Sequence, residues 1–546
     1  MSETVETSRT DVRAAARRWI AEDVDPRAQA ELQQLVDADS PELADRMSGM
    51  PRFGTAGLRA AVRAGANGMN RAVVVRTTAG VAEWLSAHGH GGGVVVVGRD
   101  ARHGSADFAA DTAGVLAAAG FDVRVLPEAL PTPVLAHAVR ALDAVAGIQI
   151  TASHNPPQDN GYKLYLRGGI HLVDPTDSEI EAAVAATPAA NSVPRTENWS
   201  IHESALEDYL ARVATLPRGS ARELRIAATA LHGVGAQPLR EALRRAGFED
   251  VHLVASQADP DPDFPTVGFP NPEEPGTTDA LLALAAEVGA DLAVALDPDA
   301  DRCALGVPVD GGWRMLRGDE TGVLLARHIL STLDDKADAL VATTIVSATM
   351  LRSIAAEFGV RYDETLTGFK WLVRAGDGAG TGLVYAYEEA LGHCVDPDFV
   401  RDKDGISTAV LASDLAATLK AAGRSLPELL DELSTAHGLH ETGQISVRVS
   451  DLAEIPRTMR RLRARPPAEL AETPVNVEDL LPRTDALVIT GAGGLRVVIR
   501  PSGTEPKLKC YLQVVEQVDE LPAAKRRAAD RLAALERAVS ELVRGG

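Results

Sequence analysis

Short apolar runs rich in Val, Ile and Ala recur along the chain, each parted from the next by alanine-rich stretches of helical period: VVVVGRD (94–100), AGIQIT (146–151), ADLAVALD (290–297), ALVATTIVS (339–347) and GLVYAYEE (382–389). A strand with helices on both faces has no polar side to show, so continuous apolar runs between helices predict buried, largely parallel strands. Most of the chain therefore reads as α/β. Several runs end in polar, turn-forming segments, the position outside the carboxyl ends of the strands where open α/β sheets keep their ligand sites. The C-terminal part differs. There ISVRVS (445–450), ALVITGAGGLRVVIRPSGTEPKLKCYLQVV (486–515) and a closing helix rich in Ala, Arg and Glu read as a small α+β domain with hairpin-paired strands.

A chain of 546 residues is too long for one core, and about 150 residues per domain gives three or four units. Loop-like stretches place four domains at 1–205, 206–316, 317–441 and 442–546. The formal net charge of -22 argues against sequence-independent nucleic-acid binding, because phosphate backbones are held by clustered Lys and Arg. An anionic ligand must then be met by locally concentrated basic groups. Cys303, Cys394 and Cys510 have no paired spacing, so neither a disulfide framework nor a zinc knuckle is expected, and a reducing cytoplasm fits. The first residues are acidic and lack an apolar signal core, and no run approaches the ~20 apolar residues that span a bilayer. Neither secretion nor membrane insertion is expected.

Four segments carry chemistry. DPDADR (297–302) follows an apolar run directly. If extended, it turns Asp297, Asp299 and Asp301 to one side, where their repulsion calls for a hard cation such as Mg²⁺. A solvated acidic turn is the plainer reading. An EF-hand loop fails, since its sixth position would be Arg302 and its twelfth Pro308. RPSGTEPKLK (500–509) offers the Arg500 fork, the Ser502 and Thr504 hydroxyls, Gly503 for close backbone approach, and Lys507 and Lys509. That is a plausible phosphate cradle, although Pro-Ser-Gly-Thr is also an ordinary turn. In YEEALGH (387–393), Glu388 and Glu389 suit vicinal sugar hydroxyls and His393 suits a phosphate or a proton transfer. Paired glutamates at a helix start are equally common. In TASHNPPQDNGYK (151–163), two prolines keep a turn after the strand from becoming helix and present Ser153. Ser153 beside His154 invites a serine-hydrolase reading. However, neighbours in an extended chain face opposite ways and no G-x-S-x-G elbow is present. Lys163 is a candidate proton carrier.

Taken as a set, TASHNP, DPDADR, YEEALGH and RPSGTEP, in that order and preceded by FGTAGLR (53–59), make the chain resemble the α-D-phosphohexomutases, the phosphoglucomutase/phosphomannomutase superfamily. The resemblance covers essentially the whole chain. It implies three mixed α/β domains plus a C-terminal α+β domain around a central cleft. It implies that Ser153 is phosphorylated in the resting enzyme and holds Mg²⁺ together with Asp297, Asp299 and Asp301. Lys163 and Arg59 match residues of proton transfer and charge stabilisation, with His154 beside them, and Arg302 sits by the transferring phosphoryl group. Glu388 matches the sugar-reading glutamate, with Glu389 and His393 alongside. Arg500, Ser502, Gly503, Thr504 and Lys507 match the loop that grips the distal phosphate. Gly368 and Lys370 of TLTGFKW (365–371) are placed with the substrate-binding residues.

The implied reaction is interconversion of hexose 1- and 6-phosphates with a sugar 1,6-bisphosphate as intermediate and primer. The implied state is a cytoplasmic monomer or homodimer whose partners are small sugar phosphates. Ala390 stands where many hexomutases carry Ser. With TLTGFKW and the extension CVDPDFVRDKDG (394–405), this points toward the branch of phosphoglucomutase-2-type enzymes and phosphopentomutases, so pentose phosphates are the alternative substrates. A phosphatase or serine hydrolase using Ser153, and a silent sugar-phosphate-binding protein, are the readings from other classes.

Overall fold

The valine run at 94–100 forms the strand Val94–Arg99, an inner strand of a mixed seven-stranded sheet. The computed structural model describes residues 2–54, 57–449, 453–502 and 507–545. The chain divides into two units, Met1–Met315 with Gly392–Asp414, and Leu316–Leu391 with Leu415–Gly546.

In the first unit, Val94–Arg99 is parallel to Asp122–Val125 on one side and to Ala146–Ile150 on the other. Beyond Ala146–Ile150 the sheet turns antiparallel, through Asp159–Leu166 and then Leu58–Ala61. The strand Asp159–Leu166 (DNGYKLYL) is buried along its middle although it contains Asn160 and Lys163. Its register sets Lys163 opposite Gln149 and Gly161 opposite Arg59. A Cβ at Gly161 would stand 2.5 Å from the carbonyl oxygens of both Leu58 and Thr151. Only glycine lets this strand pass so close to the serine loop.

A second sheet in the same unit runs in the order Gly312–Met315, Cys303–Val309, Leu292–Leu296, Ile226–Thr229, Val251–Leu253. Leu292–Leu296 is parallel to Ile226–Thr229 but antiparallel to Cys303–Val309, with Leu296 opposite Cys303. The acidic segment 297–302 is therefore the connection of a hairpin and not an extended strand, and Ala300 in it is left-handed at φ 57°. The three carboxylates meet because the chain turns, which corrects the extended reading. Residues 392–414 return to this unit. Gly405 donates its N–H to the carbonyl of Ala300 (3.1 Å), and a Cβ on Gly405 would lie 2.4 Å from the carbonyl of Arg302.

The helices Ser2–Glu22, Pro26–Asp37 and Leu43–Arg46 precede the first sheet. Asp25 caps the second of them by accepting from the Arg27 N–H, with Pro26 at its first position. Trp19, Leu32, Val36 and Leu43 share one buried cluster with Ala72 and Val73 of the helix Arg71–Ala87.

In the second unit, Leu340–Thr344 is parallel to Arg361–Thr365 and to Leu383–Glu388. The C-terminal part is a six-stranded sheet in the order Leu439–Arg448, Lys507–Glu516, Arg496–Pro501, Leu487–Gly491, Thr473–Asp479, Glu469–Leu470. Its pairings are antiparallel. The helix Leu521–Arg544 contributes Leu532, Leu535, Val539 and Val543 to this sheet's core, at the three- and four-residue spacing of one helix face. The architecture is one of α/β sheets followed by a C-terminal α+β element.

Candidate active site

Ser153 follows the strand Ala146–Ile150 by three residues and takes a left-handed backbone at φ 55°. For a residue with a side chain that conformation is strained and must be held by its surroundings. The Ser153 N–H is anchored on Thr151 Oγ1 (2.9 Å). Its Oγ donates to Asp297 Oδ2 at 2.8 Å and lies 3.2 Å from His154 Nδ1. The turn thus brings the neighbouring serine and histidine together, where an extended chain would have parted them. Ser153 is also 1% exposed, so it is held inward against the acidic loop and not presented to solvent.

Asp297, Asp299 and Asp301 are all buried, and each offers a carboxylate oxygen within 4.8 Å of the others. Lys163 Nζ donates to Asp299 Oδ2 and to Asp301 Oδ2, both at 2.6 Å. Thr132 Oγ1 donates to Asp299 Oδ2 at 2.5 Å, and the Arg302 N–H to Asp297 Oδ1 at 3.0 Å. Lys403 Nζ lies 3.3 Å from Asp301 Oδ2. Arg59 Nη1 donates to Asn155 Oδ1 (3.1 Å) on the serine loop, and Arg302 Nη1 to Glu273 Oε2 (3.3 Å).

The charges are unequally offset. Burial, followed by the negative charges of Asp301 and Asp299, pushes the Asp297 carboxyl well above its usual range. Burial acts in the same direction on Asp299, but the charge and hydrogen bond of Lys163 and the hydroxyl of Thr132 outweigh it and hold Asp299 low. Burial would lower Lys163, yet Asp299 and Asp301 overcome it and raise the ammonium pKa. Burial, then the positive charges of Arg302, Arg59 and Lys163, pushes the His154 imidazole well below its usual range and leaves it neutral.

Oδ1 of Asp299 and Oδ1 of Asp301 are buried without a hydrogen-bond partner among the described residues. Orphaned buried carboxylate oxygens are costly unless something positive meets them. Three convergent hard oxygens with spare lone pairs are the donor set of a magnesium-like cation, so the residues present fit such a metal.

The second unit holds the remaining candidates. Glu388 ends the strand Leu383–Glu388 and is buried. Glu389 Oε2 accepts from Ser347 Oγ (3.0 Å) and Thr344 Oγ1 (3.2 Å). YEEALGH straddles the division, because His393 belongs to the first unit, where burial pushes its pKa down to about 3. Gly368 takes φ 112° just before the short helix Phe369–Leu372, which carries Lys370 with its ammonium 5.8 Å from the Trp371 ring centre. Arg500 pairs across the ladder with Lys509, and the Ser502 N–H donates to the Lys507 carbonyl (2.9 Å). Gly503 and Thr504 lie outside the described residues.

The geometry adds Thr132, Lys403 and Asn155, which the motifs did not single out. Lys403 lies in the RDKDG stretch after His393 and had a signal in its charge pattern. Asn155 lies within TASHNP, whereas Thr132, the first residue of the helix Thr132–Ala141, had no signal, since an isolated Thr at a helix start is commonplace.

Matches to known proteins run along the chain. Residues 50–190, 207–310 and 317–436 match α/β/α domains I, II and III of phosphoglucomutase/phosphomannomutase, and 445–531 match its C-terminal domain. A Haemophilus influenzae protein named probable phosphomannomutase is 42% identical over 82% of this chain and 93% of its own length. The chain belongs to the phosphoglucomutase/phosphomannomutase family. A Schizosaccharomyces pombe protein named probable phosphoribomutase is 34% identical over 90% of this chain and 92% of its own. A Thermus thermophilus crystal structure assigned as a phosphomannomutase superposes with a TM-score of 0.72 at 25% identity, covering 91% of this chain and 100% of that one. Phosphoglucomutase/phosphomannomutase enzymes are phosphosugar mutases, intramolecular phosphotransferases of the isomerase class, and this chain is one of them. No helix among the described residues is long and apolar enough to cross a membrane.

Proposed function

We propose that this mutase interconverts hexose 1-phosphates and hexose 6-phosphates, glucose or mannose, by way of a phosphoserine at Ser153 and a sugar 1,6-bisphosphate. The observation that carries the reading is the Ser153 Oγ held 2.8 Å from Asp297, beside two further buried aspartates with unsatisfied oxygens. Asp297, Asp299 and Asp301, with the Ser153 phosphate, would hold Mg²⁺. Bound there, the metal supplies Lewis-acid withdrawal of charge from the phosphoryl oxygens.

The protein's own groups do the rest. A sugar hydroxyl oxygen attacks phosphorus, the bond from phosphorus to Ser153 Oγ breaks, and the hydroxyl proton ends on the departing Oγ. The resulting bisphosphate turns end for end and returns its other phosphoryl group to Oγ. Phosphoryl transfer has a loose, charge-rich transition state, so positioning and fixed cations matter more than covalent help. Lys163 and Arg59 serve the proton transfer and the growing charge, His154 stands beside Oγ, and Arg302 faces the transferring group. Glu388, Glu389 and His393, with Gly368 and Lys370, would read the sugar. Arg500, Ser502, Gly503, Thr504 and Lys507 would grip the phosphate that is not reacting. We place the four domains at 1–205, 206–316, 317–441 and 442–546. The bisphosphate serves as primer, and a monomer or homodimer suffices.

Hexose is favoured because the relative named for mannose shares 42% identity. The relative named for ribose covers 90% of this chain, and Ala390 brings no hydroxyl to the sugar loop. Pentose 1-phosphates are therefore the second reading. The test is turnover of glucose 1-phosphate, mannose 1-phosphate and ribose 1-phosphate with Mg²⁺ and a trace of bisphosphate, in wild type and Ser153→Ala, with intact mass read in parallel. The expected result is hexose isomerisation and a phosphate-sized mass increment, both lost in Ser153→Ala. Turnover of the pentose phosphate alone would replace the substrate, and an active Ser153→Ala enzyme would remove the carrier.

A further inference from the structure

We propose that Arg102 is a positioning residue that holds the Ser153 loop in its reactive shape, an inference that rests on Ser153 being the phosphoryl carrier. Arg102 lies three residues beyond the strand Val94–Arg99, in the turn before the helix Ser105–Ala118. Its side chain is 1% exposed. Nη2 donates to the carbonyl oxygens of Ser153 (2.6 Å) and Asn155 (2.5 Å), and Nη1 to those of Pro156 (2.8 Å) and Asp159 (3.1 Å). Among the described residues, every hydrogen bond from this guanidinium falls on residues 153–159.

The guanidinium is itself fixed on its other sides. Asp100 Oδ2 is 3.4 Å from Nε, while Asp100 Oδ1 accepts from the Arg102 N–H (3.0 Å) and from Ser105 Oγ (2.7 Å). The guanidinium carbon sits 4.9 Å from the centre of the Phe264 ring. A planar fork backed by a ring and a carboxylate is rigid, which a flexible ammonium is not.

Four carbonyls turned inward on one short loop repel one another, and they stay buried only if a donor meets them. A lysine has a single nitrogen and cannot span them, whereas the two terminal nitrogens of arginine match two pairs. The first of the four is the carbonyl of Ser153, the residue at φ 55°. Releasing it frees the serine to relax to an ordinary backbone and swings Oγ away from Asp297. Arg102 thus acts through the loop and does not touch the reacting atoms.

The experiment uses full-length Arg102→Lys and Phe264→Leu alongside wild type and Ser153→Ala. It reads phosphate on Ser153 by intact mass, kcat and KM, and the ratio of isomerisation to release of inorganic phosphate from the phosphoenzyme. Folded Arg102→Lys is expected to accept phosphate from the sugar bisphosphate, to lose kcat by about 100-fold, and to keep KM within about threefold. It is also expected to lose more phosphate to water per turnover, because a displaced phosphoserine meets water as readily as sugar. Phe264→Leu keeps the four donors and loses only the backing ring, so the same split is expected at roughly several-fold. A folded Arg102→Lys enzyme with wild-type kcat and wild-type partition overturns the proposal. Should Arg102→Lys fail to fold, Phe264→Leu decides on the same two readouts. Phosphorylated wild type with indifferent variants removes only the role of Arg102, whereas unphosphorylated wild type with an active Ser153→Ala removes the carrier reading beneath it.

Discussion

Burial pushes the Asp319 carboxyl up to about 6, against the opposing pull of the Ala348 N–H, the Arg317 charge and the Tyr387 hydroxyl. The Ala348 N–H reaches it at 2.7 Å and the Tyr387 hydroxyl at 3.3 Å. In the unfolded chain the same group titrates near 3.8, so the folded state binds its proton more tightly. The stability this contributes is complete below pH 4, falls through the window up to about 6, and is gone above it. Asp319→Asn removes the titration. Relative to wild type, the variant is expected to gain about 2–3 kcal/mol between pH 4 and pH 7 in chemical unfolding. A constant difference across that range would show that Asp319 does not change protonation on folding. At this same scale the sequence was least readable. Nothing local marks Ser153 or Ala300 as left-handed, because non-glycine residues enter that region only when the surrounding structure holds them. Lys163 sits in a buried strand because two aspartates 136 and 138 residues away neutralise it, and no window along the chain contains that information.

Among elements, the apolar strands were plain in the sequence because burial on both faces leaves no alternative to Val, Ile, Leu and Ala. The strand Asp159–Leu166 was not, since its polar residues are satisfied from other segments. DPDADR was legible as a candidate cation site from residue type alone, while its turned shape came from the hairpin between Leu292–Leu296 and Cys303–Val309. The helices Ser2–Glu22 and Pro26–Asp37 lie before residue 50, where the family match begins, and they meet the first sheet's helix layer through fully buried Leu32. Leu32→Ala is expected to cost about 2–5 kcal/mol by loss of buried contacts and a residual cavity. Because none of the proposed site residues lies in these helices, kcat at low temperature is expected to stay near wild type while the melting temperature falls. Equal losses of kcat and stability would show that these helices shape the site.

For the whole molecule, the metal is the test with the widest reach. Ser153 lies on the loop that leaves the first sheet of its unit and the three aspartates on the hairpin connection of the second, so one cation would tie the two sheets together. EDTA is expected to abolish turnover and Mg²⁺ to restore it. At about 100 times its Kd, Mg²⁺ should stabilise wild type by about 2.7 kcal/mol and leave an Asp297→Asn, Asp299→Asn variant nearly unmoved. Full activity in EDTA would remove the metal from the mechanism. The net charge of -22 makes the local gathering of Lys163, Arg59, Arg302 and Lys403 necessary, since an anionic sugar phosphate otherwise meets repulsion across most of the surface.

The return of residues 392–414 to the first unit sets an order of events during synthesis. A chain that has left the ribosome only as far as residue 391 already carries Ser153, Lys163 and all three aspartates. It still lacks Lys403 beside Asp301 and the Gly405 amide on the carbonyl of Ala300. The amino-terminal half is thus translated first and finished late, after an entire intervening α/β segment has been made. Its last contacts close a loop of roughly a hundred residues, a slow step because non-local closure must be paid in chain entropy before it is rewarded. Until then the nascent chain holds Ser153 and its acidic loop without the clasp that completes them.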